Sequence, residues 1–141
     1  MAQPDPVLQP GLAGRVELIV TDADTAQALG SGDVPVLATP RVLALVEAAT
    51  VAATATRLPG GMTTVGVRAE LDHRLATPVG RRVVADAKLS KVDGRKLLFD
   101  VVLHDGGQVA AEGRIERVLV DRRRFVSRAF GVAADRPEAN P

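Results

Sequence analysis

The most constraining feature of the sequence is a long apolar segment between a helix start and a helix stop. Residues 41–57 read RVLALVEAATVAATATR, with only three charged side chains. Thr39-Pro40 precedes them, and Thr can cap a helix while Pro suits its first position. Leu58-Pro59-Gly60-Gly61 then ends it. Because a helix that is apolar nearly all round must be buried, the rest of the chain has to wrap around it.

Four segments with alternating apolar residues follow this helix. Such alternation is typical of strands with one buried face, and Asp93-Gly94 is a strong hairpin signal. The expected strands are Arg15–Val20, Thr63–His73, Arg82–Val92, Arg95–His104 and Gln108–Asp121. The pattern predicts an α+β fold, with a curved antiparallel sheet of about five strands around one central helix. Because one sheet covers only part of the helix, a dimer is expected.

Three segments depart from the pattern. Residues 1–12 hold three prolines and are expected to form a loose arm, and residues 131–141 a disordered tail. This leaves residues 13–130 as one domain. Residues 21–38 are rich in Asp, Gly and Ala, which predicts a loop or short helix that could serve as a lid.

Composition excludes several kinds of site and partner. Cys is absent, which excludes disulfides and a cysteine nucleophile, and two His argue against a histidine zinc site, so we expect no metal. A net charge of +1, with no Trp or Tyr, argues against nucleic acid. The N-terminus lacks a leader pattern and the longest apolar run is too short for a bilayer, so we expect a soluble cytoplasmic protein with no membrane partner.

Glu47 and Arg117 are charged residues at positions where apolar residues are expected. Glu47 lies in the middle of the apolar helix, and Arg117 shares a strand face with residues such as Ile115. Burying an unpaired charge is costly, so each needs a partner. The structural alternatives stay open at this point: an exposed stripe for Glu47, or an ion pair between Glu47 and Arg117.

His73, Gly66 and Thr39 complete the set of unusual positions. His73 shares an odd-numbered strand face with Val65 and Val67 and should point toward the helix, the alternative being a strand-end His in solvent. Gly66 interrupts the same strand, as at a bulge, a close approach of a ligand or second backbone, or simple steric relief against the helix. Thr39 by itself is a helix cap.

These residues belong to a pattern that resembles the fluoroacetyl-CoA thioesterase family of hotdog-fold proteins. The resemblance covers roughly residues 13–125 and keeps the spacing from Thr39 to Glu47 to His73 without a gap. Its motifs are Val36-Leu-Ala-Thr39, Leu45-Val-Glu47-Ala, Asp72-His73, Ala76-Thr77-Pro78-Val-Gly80, Val92-Asp-Gly-Arg95, His104-Asp-Gly106 and Glu116-Arg117. By this resemblance, Thr39, Glu47 and His73 stand at catalytic positions, and Gly66 and Arg117 at positions that contact the substrate.

The resemblance implies a homodimeric acyl-CoA thioesterase, or a tetramer built from that dimer, with its site at the subunit interface. Coenzyme A enters as part of the substrate, and no other cofactor is expected. Glu47 would act as base or nucleophile, and His73 would carry the proton. The lid lacks the aromatic residues that the family associates with fluoroacetyl-CoA selectivity, which favours a short or medium acyl-CoA instead.

Helix geometry limits how this site can be assembled. Eight residues of one helix span about 12 Å, so Thr39 and Glu47 meet only across subunits, through water, or if the preceding chain folds back.

Three other functions stay open from the sequence. The first is a non-catalytic acyl-CoA or acyl-carrier binding protein, and the second a hotdog hydratase or dehydratase. The third is nucleic-acid binding through Arg122-Arg123-Arg124, but the run is short and the net charge near neutral, which favours a solvated strand end or contact with coenzyme A phosphates instead.

Overall fold

A five-stranded antiparallel sheet packs against one long helix in the computed structural model, which describes residues 8–132. The strands are β1 (Ala13–Ile19), β2 (Met62–His73), β3 (Arg82–Asp93), β4 (Lys96–Asp105) and β5 (Gln108–Asp121). The helices are α1 (Ala26–Leu29), α2 (Thr39–Thr54) and α3 (Arg122–Ala129), with a 3-10 turn at Asp22–Asp24. The sheet order is β1-β3-β4-β5-β2, so β2 forms one edge. The predicted five strands and central helix are confirmed.

The ends of the chain are described only in part. Residues 1–7 and 133–141, which hold most of the expected arm and tail, lie outside the described residues. Leu8 and Leu12 pack against the core, and the Gly11 N–H donates a hydrogen bond to the Leu89 carbonyl at 2.8 Å. Residues 8–12 therefore lie against the domain.

The core is aliphatic and lies between α2 and the sheet. The inward alternation predicted for β3 and β4 is confirmed, since those side chains are at most 2% exposed. They are Val83, Ala85, Ala87, Leu89, Leu97, Phe99, Val101 and Leu103. At Gly14, β1 approaches α2 so closely that a Cβ would overlap the backbone of Ala49 and Ala53. Only glycine permits this contact.

α2 is buried on one side only, as expected if a single sheet covers only part of the helix. Val42, Val46 and Ala49 face the sheet and are fully buried. On the opposite side, beside β2, Ala44 and Ala48 are exposed. The second side of α2 is thus an uncovered strip of small apolar residues within the described chain.

A bulge in β2 changes which residues face α2. Gly66 pairs with Arg117 and Arg68 pairs with Glu116, so Val67 is the extra residue. Before the bulge the even-numbered residues face inward, and after it the odd-numbered ones do, which includes His73. The inward orientation expected for Val65 and Val67 is therefore wrong, and Val67 is 53% exposed.

The segment before α2 packs against the chain on both sides. Thr25 bridges to Leu37, and Val36 bridges to Pro78 in the loop after β2. The Asp24 carboxylate accepts hydrogen bonds from the Thr21 N–H and the Arg41 Nε, both at 2.8 Å. These contacts fix the segment over one end of β2.

The strand end expected at residues 122–124 is instead the first turn of α3. Asp121 caps this helix, because its carboxylate accepts a hydrogen bond from the Arg124 N–H at 2.9 Å. None of the helices within residues 8–132 is long and apolar enough to cross a membrane.

Candidate functional site

Thr39 and His73 form a direct pair at the N-terminal end of α2. Ala38 is the N-cap, so Thr39 occupies the first turn and its side chain makes no capping hydrogen bond, which corrects the expected cap. The Thr39 hydroxyl lies 2.8 Å from Nδ1 of His73, at the end of β2. The bulge in β2 places this imidazole on the face toward the helix, as the sequence predicted for His73.

The environment of His73 keeps its imidazole neutral. The ring is half-buried, and its Nε2 is buried without a hydrogen-bond partner among residues 8–132. Burial lowers the pKa of His73 below its usual 6.5 and outweighs the opposing effect of the Leu75 backbone. A neutral imidazole oriented by a hydroxyl can accept a proton at neutral pH.

Glu47, Gly66 and Arg117 form a second group further along α2. Arg117 is buried at 7% exposed, and its Nη1 lies 3.9 Å from Oε2 of Glu47. Burial lowers the pKa of Arg117 and the Glu47 carboxylate opposes that effect, so the guanidinium stays charged. The Glu47 side chain is 40% exposed, so both alternatives left open by the sequence, a partly exposed position and an ion pair with Arg117, are present in the single chain.

Gly66 gives the Glu47 carboxylate room to approach β2. A Cβ at Gly66 would lie 2.7 Å from Oε2 of Glu47 and 3.4 Å from Nη1 of Arg117. Of the explanations open from the sequence, the structure shows both a bulge beside Gly66 and relief of a contact with a helix side chain. Any other residue at position 66 would displace the carboxylate.

Thr64 supports the second group and was missed by the sequence analysis. Its hydroxyl accepts a hydrogen bond from Nε of Arg117 at 2.9 Å, and its carbonyl accepts one from Nη2 at 3.0 Å. Thr64 is 9% exposed. Its inward orientation depends on the bulge, so simple alternation along β2 placed it on the wrong face.

One chain holds the five candidate residues as two groups. Thr39 and Glu47 lie on one continuous helix, about 12 Å apart along its axis. Thr39 and His73 form the first group, and Glu47, Gly66 and Arg117 form the second. A site that uses both groups therefore needs a second chain or a substrate long enough to contact both.

A cavity of about 260 Å³ lies beside His73, between the segment before α2 and the end of β2. Its walls include Val34, Val36, Leu75 and Ala76. They carry no aromatic side chain other than the imidazole. Within residues 8–132, no group of three or more His, Asp or Glu residues could hold a metal ion.

Sequence comparisons identify relatives of the chain. The family model described as "FlK: Fluoroacetyl-CoA-specific thioesterase" matches residues 20–123. A fluoroacetyl-CoA thioesterase from Streptantibioticus cattleyicolor is 36% identical over 90 residues, which is 64% of this chain and 65% of that protein. The match with this curated relative thus spans just under two thirds of its length.

Solved structures with the same architecture support these matches. The fluoroacetyl-CoA thioesterase FlK superposes with a TM-score of 0.81 and 28% identity, over 88% of this chain and 96% of that chain. A Thermus thermophilus hypothetical protein, a thioesterase superfamily member, gives a TM-score of 0.81 and 26% identity, over 96% and 98%. A hot-dog-like protein from Thermanaerovibrio acidaminovorans, at 22% identity and a TM-score of 0.81, over 89% and 93% of the two chains, shares the fold. The expected hotdog fold is confirmed.

Proposed function

Since the chain belongs to the fluoroacetyl-CoA-specific thioesterase family, we propose that it hydrolyses an acyl-CoA thioester to a free acid and coenzyme A. The observation that carries this proposal is the hydrogen bond between the Thr39 hydroxyl and Nδ1 of His73, beside a cavity, with Nε2 buried and without a partner among residues 8–132. This is the arrangement that a proton-transfer group requires.

The chemistry assigns one role to each candidate residue. Glu47 drives attack on the thioester carbonyl, either as the nucleophile or by taking a proton from the attacking water. A backbone N–H near Gly66 stabilises the oxyanion, and Arg117 holds the Glu47 carboxylate. When the tetrahedral intermediate collapses, the carbon–sulfur bond breaks. The neutral imidazole of His73 accepts the proton that the reacting water gives up, directly or from Glu47, and passes it to the leaving thiolate. If Glu47 is the nucleophile, this water is the one that hydrolyses the acyl-Glu47 anhydride to the free acid. Thr39 orients the imidazole.

The uncovered faces of β2 and α2 support a homodimer. β2 is a twelve-residue edge strand, and within residues 8–132 nothing pairs with its outer side. Val67 on β2 is 53% exposed and Val51 on α2 is 46% exposed, beside the exposed Ala44 and Ala48. A long unpaired edge next to an apolar strip favours a second copy of the chain. We therefore propose that two β2 strands pair antiparallel about a twofold axis.

Such a dimer unites the two groups of site residues. In an antiparallel pair whose twofold axis lies at residue 70, Arg68 lies opposite Asp72 of the partner subunit, and the extra residue Val67 then brings Gly66 opposite the partner's His73. Glu47, Gly66 and Arg117 of one chain then share a site with Thr39 and His73 of the other. This arrangement resolves the 12 Å separation along α2.

The cavity favours a short or medium aliphatic acyl group over fluoroacetyl. Its walls include the aliphatic side chains of Val34, Val36 and Leu75 and no aromatic ring other than the imidazole of His73. An apolar pocket gains binding free energy with each methylene that it buries, about 0.8 kcal/mol. We therefore expect kcat/KM for hydrolysis to rise from acetyl-CoA to butyryl-CoA or hexanoyl-CoA.

Release of free thiol from a panel of acyl-CoAs, by the wild type and by Glu47→Ala, tests the proposal. Wild-type turnover that the substitution removes supports a hydrolase. Binding of acyl-CoA without thiol release indicates a non-catalytic binding protein. Loss of enoyl absorbance without thiol release, on an enoyl-CoA, indicates a hydratase. Either of the last two results contradicts the proposed function.

We expect kcat/KM to fall as the pH falls through a pKa below 6.5, because His73 must be neutral to accept a proton. The free energy of unfolding should change with pH in the same direction as kcat/KM. Below pH 6.5 the unfolded chain protonates this imidazole more readily than the folded chain, so the free energy of unfolding also decreases. A pH–rate profile and thermal melts test this, with His104→Gln as the matched control that keeps both profiles. An acidic limb centred above 6.5 would contradict the expectation.

Exposed arginines of α3 are suited to the phosphates of coenzyme A. Arg122, Arg124 and Arg128 are exposed, and the first follows Arg117 by five strand residues, about 16 Å. Arg95 lies at the same corner, since its Nη1 donates to the Leu119 carbonyl at 3.3 Å.

Substitution of Arg122, Arg124 and Arg128 together by Gln should raise KM for an acyl-CoA about tenfold. KM for a pantetheine thioester of the same acyl group, which lacks the nucleotide of coenzyme A, should be unchanged. Steady-state kinetics on both substrates provide the measurement, with Arg114→Gln on the outer sheet face as control. An equal effect on both thioesters would show that α3 does not contact the nucleotide.

A further inference from the structure

Thr64 is a buried polar residue to which the proposed reaction assigns no role. It lies on the inner face of β2, two residues before Gly66, and is 9% exposed. Both of its available acceptors are used by one side chain: the hydroxyl by Nε of Arg117 at 2.9 Å, and the carbonyl by Nη2 at 3.0 Å. Thr64 therefore contacts Arg117 along one edge of its guanidinium.

Two hydrogen bonds along one edge fix the plane of a guanidinium. With Nε and Nη2 occupied by Thr64, the remaining terminal nitrogen, Nη1, is directed at Glu47, 3.9 Å from Oε2. Arg117 is 7% exposed, whereas the Glu47 side chain is 40% exposed. The buried arginine is thus the fixed member of the pair, and the carboxylate is the member with freedom to move.

We propose that Thr64 is a positioning residue that acts through Arg117 to hold the Glu47 carboxylate where it attacks the thioester. This inference rests on the proposed function. The hydroxyl carries the effect, because the carbonyl contact is available to any residue at position 64. A displacement of about 1 Å in a reacting group can lower turnover by orders of magnitude, so a residue that touches no substrate can still control kcat.

Three substitutions separate the hydroxyl from the rest of the side chain. Thr64→Val keeps the shape and the strand propensity but removes the hydroxyl, and Thr64→Ser keeps the hydroxyl. Thr63→Val is the matched control, since Thr63 is the neighbouring Thr on the opposite face of β2. We expect Thr64→Val to lower kcat about tenfold with KM changed by less than about twofold. Thr64→Ser and Thr63→Val should stay within about twofold of the wild type.

A readout without substrate keeps the inference separate from the proposed function. In ¹⁵N-labelled protein, with the Arg117 signal assigned through Arg117→Lys, the Nε–H should exchange slowly with water in the wild type and in Thr64→Ser. It should exchange rapidly in Thr64→Val. An unchanged Nε–H in Thr64→Val overturns the inference whether or not the protein hydrolyses thioesters. A lost Nε–H signal with unchanged kcat overturns the positioning role while leaving the proposed function intact. A wild type that releases no thiol defeats the proposed function, and with it the positioning role.

Discussion

Replacing Glu47 with Gln is expected to lower kcat/KM for acyl-CoA by about 10³-fold while the fold stays intact. The amide retains the size of the side chain and can still accept a hydrogen bond from Arg117, but it can neither take a proton from water nor attack a carbonyl. General bases and nucleophiles contribute about 10²–10⁴-fold to such reactions. Because the Glu47 side chain is 40% exposed and its ion pair is long, at 3.9 Å, the substitution should cost little stability.

The measurement is steady-state thiol release together with a thermal melt of each variant. Glu17→Gln provides the matched control. Glu17 lies on β1, the opposite edge strand of the sheet, and makes an ion pair there with Arg82 of β3. That variant should retain wild-type turnover and melt at nearly the same temperature. Retention of more than a tenth of the activity by Glu47→Gln would exclude Glu47 as base or nucleophile.

The sequence predicted the fold well because the periodicities of most elements are uninterrupted. In β3 and β4, every residue assigned to the inner face is buried, and the strand ends agree within one residue. β2 differs because of a single bulge. One extra residue, Val67, inverts the inward face, so Val65 was assigned wrongly while His73 beyond the bulge was assigned correctly. Gly66 signalled the bulge, but not its effect on the faces of the flanking residues.

The site was harder to predict because its contacts join residues that are distant in sequence. The hydrogen bond between Thr39 and His73 spans 34 residues, and the one between Thr64 and Arg117 spans 53. Helix-capping preferences, which depend only on residues within one turn, predicted Thr39 as a cap. The residues beside Arg117 are instead decided by the pairing of β2 with β5, which the local sequence does not show. Residue type alone could mark Glu47 as unusual, but not as half-exposed.

The missed α3 helix had a readable signal. Asp121 directly precedes it and caps it through the Arg124 N–H. The preceding alternation along β5 extended the strand assignment to Asp121, and the three consecutive arginines beyond it carried no apolar period to indicate a new element. A capping residue without an apolar stripe after it is a weak signal for the start of a helix.

Mixed dimers of Glu47→Ala and His73→Ala should recover about a quarter of the wild-type activity, although each variant alone is inactive. If two β2 strands pair about a twofold axis, each site takes Glu47 from one chain and His73 from the other. A heterodimer of the two variants then holds one site with both substitutions and one intact site. Random pairing of equal amounts makes half of the dimers heterodimers, and half of their sites are intact.

Co-refolding the two variants in a one-to-one ratio and measuring thiol release tests this arrangement. Each variant refolded alone is the control, and the molar mass in solution must correspond to a dimer throughout. If each site were built within one chain, every site in the mixture would carry a substitution and no activity would return.

The β2 edge gives an independent check of the dimer. Val67 is the exposed bulge residue and lies beside the partner's Asp72 in the proposed strand pair, so Val67→Asp should place two carboxylates side by side at each end of the pair and dissociate the dimer. Loss of turnover together with dissociation, in a monomer that keeps its secondary structure, would follow because Glu47 and His73 then lie on separate molecules.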